Sequence, residues 1–402
     1  MALLPVAEAL SRILDGARPG PTQSVPLLEA GGRVLAEAVG ARMTQPPFDA
    51  SAMDGYAVRA DDVATLPATL KLVGEAAAGR AFKGAVGPGE AVRIFTGAPV
   101  PSGADAIVIQ ENTRAQGGVI SVLDGRPDAA HIRPRGGDFA EGEALLARGT
   151  VLGARTVTLA AAMGHATLPV VTNPKVAIIA TGDELVMPGV TPSTAQIVCS
   201  NPFGIAAMVA AAGGTPVFLG IAPDDKEAIA RKIEAASGAD VIVTIGGASV
   251  GDHDLVAPAL QSKGMSLDFW KVAMRPGKPL MFGRLGESRV IGLPGNPVSS
   301  LICTRVFIVP LVRRLAGHAG EADHAARAVL SEQLERNGPR EHYMRARRTT
   351  AEPGRRPLVT PIPNQDSALL SPLAAADCLI VRPAGAPAQD AGTEVSVLPL
   401  DF

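Results

Sequence analysis

The stretch Val176-Ala-Ile-Ile-Ala-Thr-Gly-Asp-Glu184 decides the fold. Its first five residues are a continuous apolar run, short enough for a strand covered on both faces. Thr181-Gly-Asp-Glu184 then breaks the run with a turn-forming and acidic segment. Working outward, the same rhythm repeats. A helix is expected over 202–212, ended by Gly213-Gly214, then a strand over 215–221 and a helix over 225–236. A strand over 240–245, a helix over 254–262, strands over 267–273, 279–285 and 289–293, and a helix over 298–315 follow. Strands alternating with helices predict a parallel, doubly wound sheet. This is the central α/β domain, placed at 174–318.

The flanks read differently. Val6, Leu10, Ile13 and Leu14 fall on one face of a helix over 5–16. A second helix is expected over 29–38 and a third over 154–163, with Gly164 as its C-cap. Between them Gly and Pro recur and apolar runs are short, such as Leu70-Lys-Leu-Val73 and Ala106-Ile-Val-Ile109. That texture predicts a β-rich domain at 41–138, inserted into a split helical domain made of 1–40 and 139–173. Short strands return at the end, and 328–402 is expected to be a small C-terminal β-barrel. The fold class is therefore multidomain α/β plus β.

Composition narrows the function. The 402 residues carry 37 Lys and Arg against 39 Asp and Glu, a formal net charge of -2. That balance argues against a polyanion binder working through bulk charge. Aromatic residues are 3% of the chain, too few for a base-stacking platform, so no nucleic acid is expected. No apolar run reaches the ~20 residues of a membrane helix. The N-terminus lacks the basic region of a signal peptide. Cys199, Cys303 and Cys378 are far apart, which fits neither a zinc site nor a disulfide framework. A cytoplasmic protein is expected.

Four unusual loops in the α/β region share one property: each follows a strand. They are Thr181-Gly-Asp-Glu184, Ala222-Pro-Asp-Asp225, Gly246-Gly-Ala-Ser-Val-Gly-Asp-His-Asp254 and Pro294-Gly-Asn-Pro297. Ligands of open α/β sheets bind beyond the carboxyl ends of the strands, so the four loops should line one rim. Gly246, Gly247, Gly251 and Gly295 let the backbone approach an anion closely. Glu184, Asp224 and Asp254 are hard oxygen ligands suited to Mg²⁺. Lys271, Arg275 and Lys278 gather cations beside a Pro276-Gly277 turn, where Lys271 and Arg275 can meet an oxyanion. There is no G-x-x-x-x-G-K-[ST] loop and no G-x-G-x-x-G, so ordinary ATPase and dehydrogenase readings lack support.

Each feature alone has a plainer explanation. A lone Gly-Gly or Pro-Gly-Asn-Pro is ordinarily a turn. Asp225 reads as a helix N-cap, Asp224 reads equally either way, and Asp254 is open to the same interpretation. Cys199 reads as a small packed side chain, not a nucleophile. In the inserted domain, Asp49, Ser51 and Asp54 sit in a dense polar loop that, alone, is a set of turns. Co-location on one rim is what favours a site.

The set of motifs is recognisable as a whole. Ser51-Ala-Met-Asp-Gly-Tyr-Ala57, Thr96-Gly-Ala-Pro-Val-Pro101, Thr181-Gly-Asp-Glu-Leu185, Gly246-Gly-Ala-Ser-Val-Gly-Asp252, Arg275-Pro-Gly-Lys-Pro279 and Gly292-Leu-Pro-Gly-Asn-Pro-Val298 occur in this order. Together they closely resemble the molybdopterin molybdenumtransferase family, bacterial molybdenum-insertion enzymes related to the C-terminal domain of gephyrin. The resemblance spans the chain. It implies an enzyme that takes adenylylated molybdopterin and molybdate as substrates, releases AMP, and requires Mg²⁺. It implies a homodimer whose cleft is shared between subunits, with the molybdopterin adenylyltransferase and molybdoenzyme chaperones as expected partners. Position by position it implies catalytic roles for Asp54, Thr96, Asp138, Glu184, Asp224, Asp254, Lys271 and Arg275, with Glu184, Asp254 and Asp54 at the metal. It implies substrate binding by Ser51, Gly246, Gly247, Ser249, Gly251, Lys278, Pro294, Gly295, Asn296, Pro297, Arg345 and Ser367.

The chain departs from the pattern in places. Arg275 stands where many members have Lys, and a guanidinium fork meets an oxyanion with different geometry. Cys199-Ser-Asn201 stands where Asp often precedes the last two residues. Two other readings are kept open: a molybdopterin adenylyltransferase, which resembles only the 175–317 portion, and a non-enzymatic molybdopterin-binding scaffold.

Overall fold

The apolar run forms the strand Lys175–Thr181, in which Val176 to Ala180 are all buried. In the computed structural model, which describes residues 3–125, 128–247, 255–319, 326–349 and 355–400, it lies inside a six-stranded sheet. The order is Thr215–Ala222, Lys175–Thr181, Val241–Ile245, Ser288–Leu293, Met281–Leu285, Ser266–Trp270. Side chains alternate between the faces, as a strand requires. Val176, Ile178, Val241 and Val243 join one core; Ala177, Ile179 and Ile242 join the other. Helices Asn201–Ala211 and Pro297–Cys303 pack on the first face, and Lys226–Ala235 and Val256–Ser262 on the second. The sheet is doubly wound.

It is not parallel throughout. The first four strands pair in parallel, while Met281–Leu285 and Ser266–Trp270 run antiparallel at one edge. The reason is local: Leu285 pairs with Ser288 across only Gly286 and Glu287, and a parallel crossover needs about a dozen residues or more.

The N-terminal region corrects two expectations. The helix Val6–Leu14 forms, but its buried Val6, Ala9 and Ile13 belong to the α/β core, alongside Val309, Val312 and Leu315. The helix expected over 29–38 does not form. A 3-10 turn at Leu27–Glu29 is followed by Gly31-Gly32, with Gly32 at φ +77°, outside helical space. Leu35 then bridges Val170 and Val34 bridges Val151. Thr22–Pro26 pairs with Thr167–Val171, and Val25, Leu35, Leu152, Ala160 and Met163 share one core. The helix Ala154–Ala162 is the α-helix among the described residues of this unit, and Gly164 follows it at φ +87°. The two chain segments meet here, on either side of an insertion.

The insertion holds a second six-stranded sheet, ordered Ala106–Ile109, Gly55–Val58, Glu90–Ile94, Ala68–Ala76, Val119–Val122, Thr113–Gln116. At the C-terminal end, Glu341–Arg348, Leu358–Pro361, Ala326–Leu330, Glu394–Pro399 and Cys378–Arg382 pair in turn, and the last returns to the first. That closes a five-stranded barrel with no free edge at the seam. A short strand from the α/β region, Met274–Arg275, pairs in parallel with Glu341–Arg348 and ties the barrel to the sheet. Among the described residues no helix is long and apolar enough to cross a membrane.

Candidate functional site

The loops after the four parallel strands converge on one open cavity of about 840 Å³. Thr181, Gly182 and Glu184 come from the first loop, Asp224 from the second, Gly246 and Gly247 from the third, and Pro294, Gly295, Asn296 and Pro297 from the fourth. Ala368 and Leu370, from the barrel unit, close one side. Sheet topology alone accounts for the convergence, because parallel strands send their carboxyl ends to the same edge.

Short-range chemistry fixes each wall. Gly246 sits at φ +92°, and a Cβ there would stand 2.7 Å from the Thr181 carbonyl oxygen, so only glycine fits. Thr181 Oγ1 donates to the Ile245 carbonyl at 3.3 Å, tying the first loop to the third. Asn201 Nδ2 donates to the Gly295 carbonyl at 2.8 Å, and the Ser300 hydroxyl donates to the Pro294 carbonyl. These bonds hold the Pro294–Pro297 turn in the cavity wall. Asn296 Nδ2 donates to Ser367 Oγ at 3.0 Å, and the Val298 amide donates to the Ser367 carbonyl at 3.1 Å. Ser367 thereby joins the barrel loop to the α/β turn.

The two acidic positions after Ala222 divide their work. Asp225 Oδ1 accepts from the Ala228 amide at 2.7 Å and caps the helix Lys226–Ala235. Asp224 does not cap; its amide donates to Asp183 Oδ1 at 3.0 Å, and the residue lines the cavity. Glu184 and Asp224 are both exposed on the cavity wall, and both offer hard oxygen donors. Mg²⁺ characteristically takes one or two carboxylates with the remaining positions from water or phosphate, so this donor set fits it. Among the described residues no group of three or more ligating side chains surrounds a single point. Ser249, Gly251 and Asp254 lie outside the described residues.

Cys199 lines the cavity as a buried wall residue. Burial first, and the nearby Glu184 carboxylate second, push its thiol above the ordinary range. A thiol held protonated is packing, not a nucleophile.

The cations stand on the turn that leads to Pro279, itself a cavity residue. Lys271 is half-buried, and Arg275 and Lys278 are exposed. Arg345 differs from the expectation of a substrate-facing cation. It is 1% exposed, and its guanidinium donates to the carbonyls of Asn364, Asp366 and Leu369 at 3.0, 2.9 and 2.9 Å. Gln365 accepts from the Arg345 amide and donates back to the Arg345 carbonyl, both at 3.0 Å. The pair fastens the loop that carries Ser367. The strand Glu341–Arg348 points this side chain under that loop, a direction that spacing does not reveal.

The inserted sheet makes its own polar centre. Asp54 Oδ1 accepts from both the amide and the hydroxyl of Thr96 at 2.8 Å. Those bonds, the amide first, hold the Asp54 carboxyl below its usual range, with Arg93 adding a smaller push. The Arg93 guanidinium is stacked over Tyr56 and Phe95, 5.0 and 4.8 Å from the ring centres. Ser51 is buried and its hydroxyl donates to the Met53 carbonyl at 2.5 Å. Asp138 is exposed, with its amide donating to the Gln45 carbonyl. Ser51, Asp54, Thr96 and Asp138 do not line the α/β cavity within one chain.

Sequence comparison places all three regions together. Residues 4–164 match the MoeA N-terminal region (domain I and II), 177–314 a probable molybdopterin binding domain, and 327–400 the MoeA C-terminal region (domain IV). The molybdopterin molybdenumtransferase of Bacillus subtilis is 34% identical over 98% of this chain and 94% of its own. The chain belongs to the molybdopterin molybdenumtransferase family. The molybdopterin molybdenumtransferase of a Nostoc species is 38% identical over 80% of this chain and 76% of its own. The crystal structure of a molybdopterin biosynthesis moeA protein from Pyrococcus horikoshii OT3 superposes with a TM-score of 0.82, at 29% identity, over 98% and 99% of the two chains. The family match therefore includes the insertion and the barrel as well as the α/β sheet.

Sequence alone does not mark Asn201, Thr181 or Gln365 as site residues. Asn201 carries a signal, since it opens the helix Asn201–Ala211 within the Cys199-Ser-Asn201 stretch that departs from the family pattern. Thr181 stands out only as part of its loop, and Gln365 carries no signal, because its role depends on pairing with Arg345 across the barrel.

Proposed function

We propose that this chain inserts molybdenum from molybdate into adenylylated molybdopterin, releasing AMP and forming the molybdenum cofactor, with Mg²⁺ bound by Glu184 and Asp224. The observation that carries the reading is the single cavity in which two carboxylates, a glycine-lined loop and a fixed Pro-Gly-Asn-Pro turn meet. A phosphoanhydride needs this pairing: amides and glycine backbone to hold phosphate oxygens, and hard oxygens for a cation. When bound, Mg²⁺ neutralises charge on the phosphate oxygens. Glu184 and Asp224 hold that cation at the wall. Gly246, Gly247 and Gly295 admit the phosphates. Lys271 and Arg275 hold the molybdate oxyanion beside the cavity, and Arg345 positions Ser367 at its edge. Asp54, kept ionised by Thr96, acts in the cavity of a second copy, in a homodimer.

An adenylyltransferase needs only the α/β portion, and a scaffold needs no carboxylates on a cavity wall; the family match across all three regions favours the transferase. The test is AMP release from adenylylated molybdopterin with Mg²⁺. Release should rise on adding molybdate, and Glu184→Gln should lower turnover by about 10²-fold or more while the chain stays folded. Release indifferent to molybdate would remove the insertion reading. Wild-type turnover in the variant would remove Glu184 from the site.

A further inference from the structure

Among the described residues, one non-glycine residue has a positive φ: Lys271, at +90°. An L side chain resists that region, so something must hold it there. Part of the restraint is local. The Lys271 amide donates to the Leu280 carbonyl and the Val272 amide to the Lys278 carbonyl, both at 3.0 Å. The rest comes from the far end of the sequence. Leu4 bridges Val272 in parallel register, its amide donating to the Lys271 carbonyl at 3.4 Å and its carbonyl accepting from the Ala273 amide at 2.7 Å. On the opposite side the Glu341 amide donates to the Ala273 carbonyl at 2.8 Å. The cationic turn is thus stitched between the N-terminal segment and the barrel.

Leu4 is itself well anchored. It packs against the α/β core and precedes Pro5, the N-cap of a helix whose Val6, Ala9 and Ile13 are buried in that core. Rotating Lys271 back to a negative φ would turn its Cβ, and so its ammonium, to a different direction. It would also carry the Lys271 carbonyl away from Leu4. The two Leu4 bonds and the left-handed backbone therefore stand or fall together.

We infer that the main chain of Leu4 is a positioning element for the cationic turn, fixing the direction in which Lys271 presents its charge to an oxyanion. This rests on the proposed role of Lys271 in holding molybdate. Leu4 touches no reacting group; it acts through Lys271.

The test compares three variants in molybdate-stimulated AMP release: a chain beginning at Pro5, Leu4→Ala, and Lys271→Ala. The trimmed chain keeps the Val6–Leu14 helix but loses both Leu4 bonds. Its half-saturating molybdate concentration should rise on the order of tenfold, with kcat within about twofold of wild type. Leu4→Ala keeps both backbone bonds and loses only part of the packing, so it should stay much closer to wild type than the trimmed chain. A trimmed chain with unchanged molybdate dependence, or one losing kcat alone, overturns the inference; so does a Leu4→Ala chain as impaired as the trimmed one. If Lys271→Ala leaves molybdate dependence unchanged, the oxyanion reading of the turn fails instead. Should the trimmed chain not fold, hydrogen exchange on the full wild-type chain decides: the Ala273 amide should be protected like the sheet amides, and free exchange there overturns the inference.

Discussion

Arg345 shows what a residue's identity conveys and what it withholds. Its chemistry, a planar fork of five donors, suits an oxyanion and suits a set of backbone carbonyls equally well. Here the carbonyls of Asn364, Asp366 and Leu369 take it. Arg345→Met should leave those buried acceptors unmet and destabilise the barrel by about 2–4 kcal/mol, read as a lower melting temperature. Activity should fall with it, because Ser367 loses its place beside Asn296; unchanged stability would contradict the clamp. Glu184 and Asp224 were legible from sequence because a strand-end position fixes where a side chain emerges. Arg345 was found by resemblance, but its direction depends on burial inside a barrel, which its neighbours in sequence do not encode. Lys271 lies between these cases: its charge was legible and its left-handed backbone was not.

At the scale of elements, the strands and helices of the α/β unit followed from apolar runs and their punctuation. Two readings failed where a short-range rule competes with periodicity. Leu285-Gly-Glu-Ser288 is a tight hairpin, so the sheet's edge turns antiparallel. Gly31-Gly32 breaks a segment whose apolar spacing resembles a helix, and the chain bridges Val170 instead. The seam between the Met274–Arg275 and Glu341–Arg348 strands has a further consequence. His342 pairs with Arg275 there and is 8% exposed. Burial, then the charges of Arg275, Arg382, Arg340 and Arg345, push its pKa down to about 4. The folded chain therefore keeps His342 neutral where the unfolded chain, titrating near 6.5, binds a proton. Stability from this group is full above about pH 6.5, declines as pH falls, and is lost by about pH 4. His342→Gln should flatten the loss of stability between pH 6.5 and 4, measured by denaturant unfolding; an unchanged pH dependence would contradict the neutral buried imidazole.

The whole molecule explains why net charge was uninformative. The sum of -2 hides carboxylates on one wall and a cationic turn beside it. It also explains why Asp54, Thr96 and Asp138 had no local role in the sequence: within one chain they stand in turns that do not line the cavity. The proposed homodimer, bringing the inserted unit of one copy to the cavity of the other, would resolve that separation. Mixing subunits tests it directly. Chains carrying Asp54→Ala and chains carrying Glu184→Ala, each inactive alone, should regain molybdate-stimulated AMP release when unfolded together and reassembled. Random pairing leaves one intact cavity in half of the dimers, so recovery to about a quarter of the wild-type rate is expected. A mixture no more active than its separate components would contradict the shared cavity.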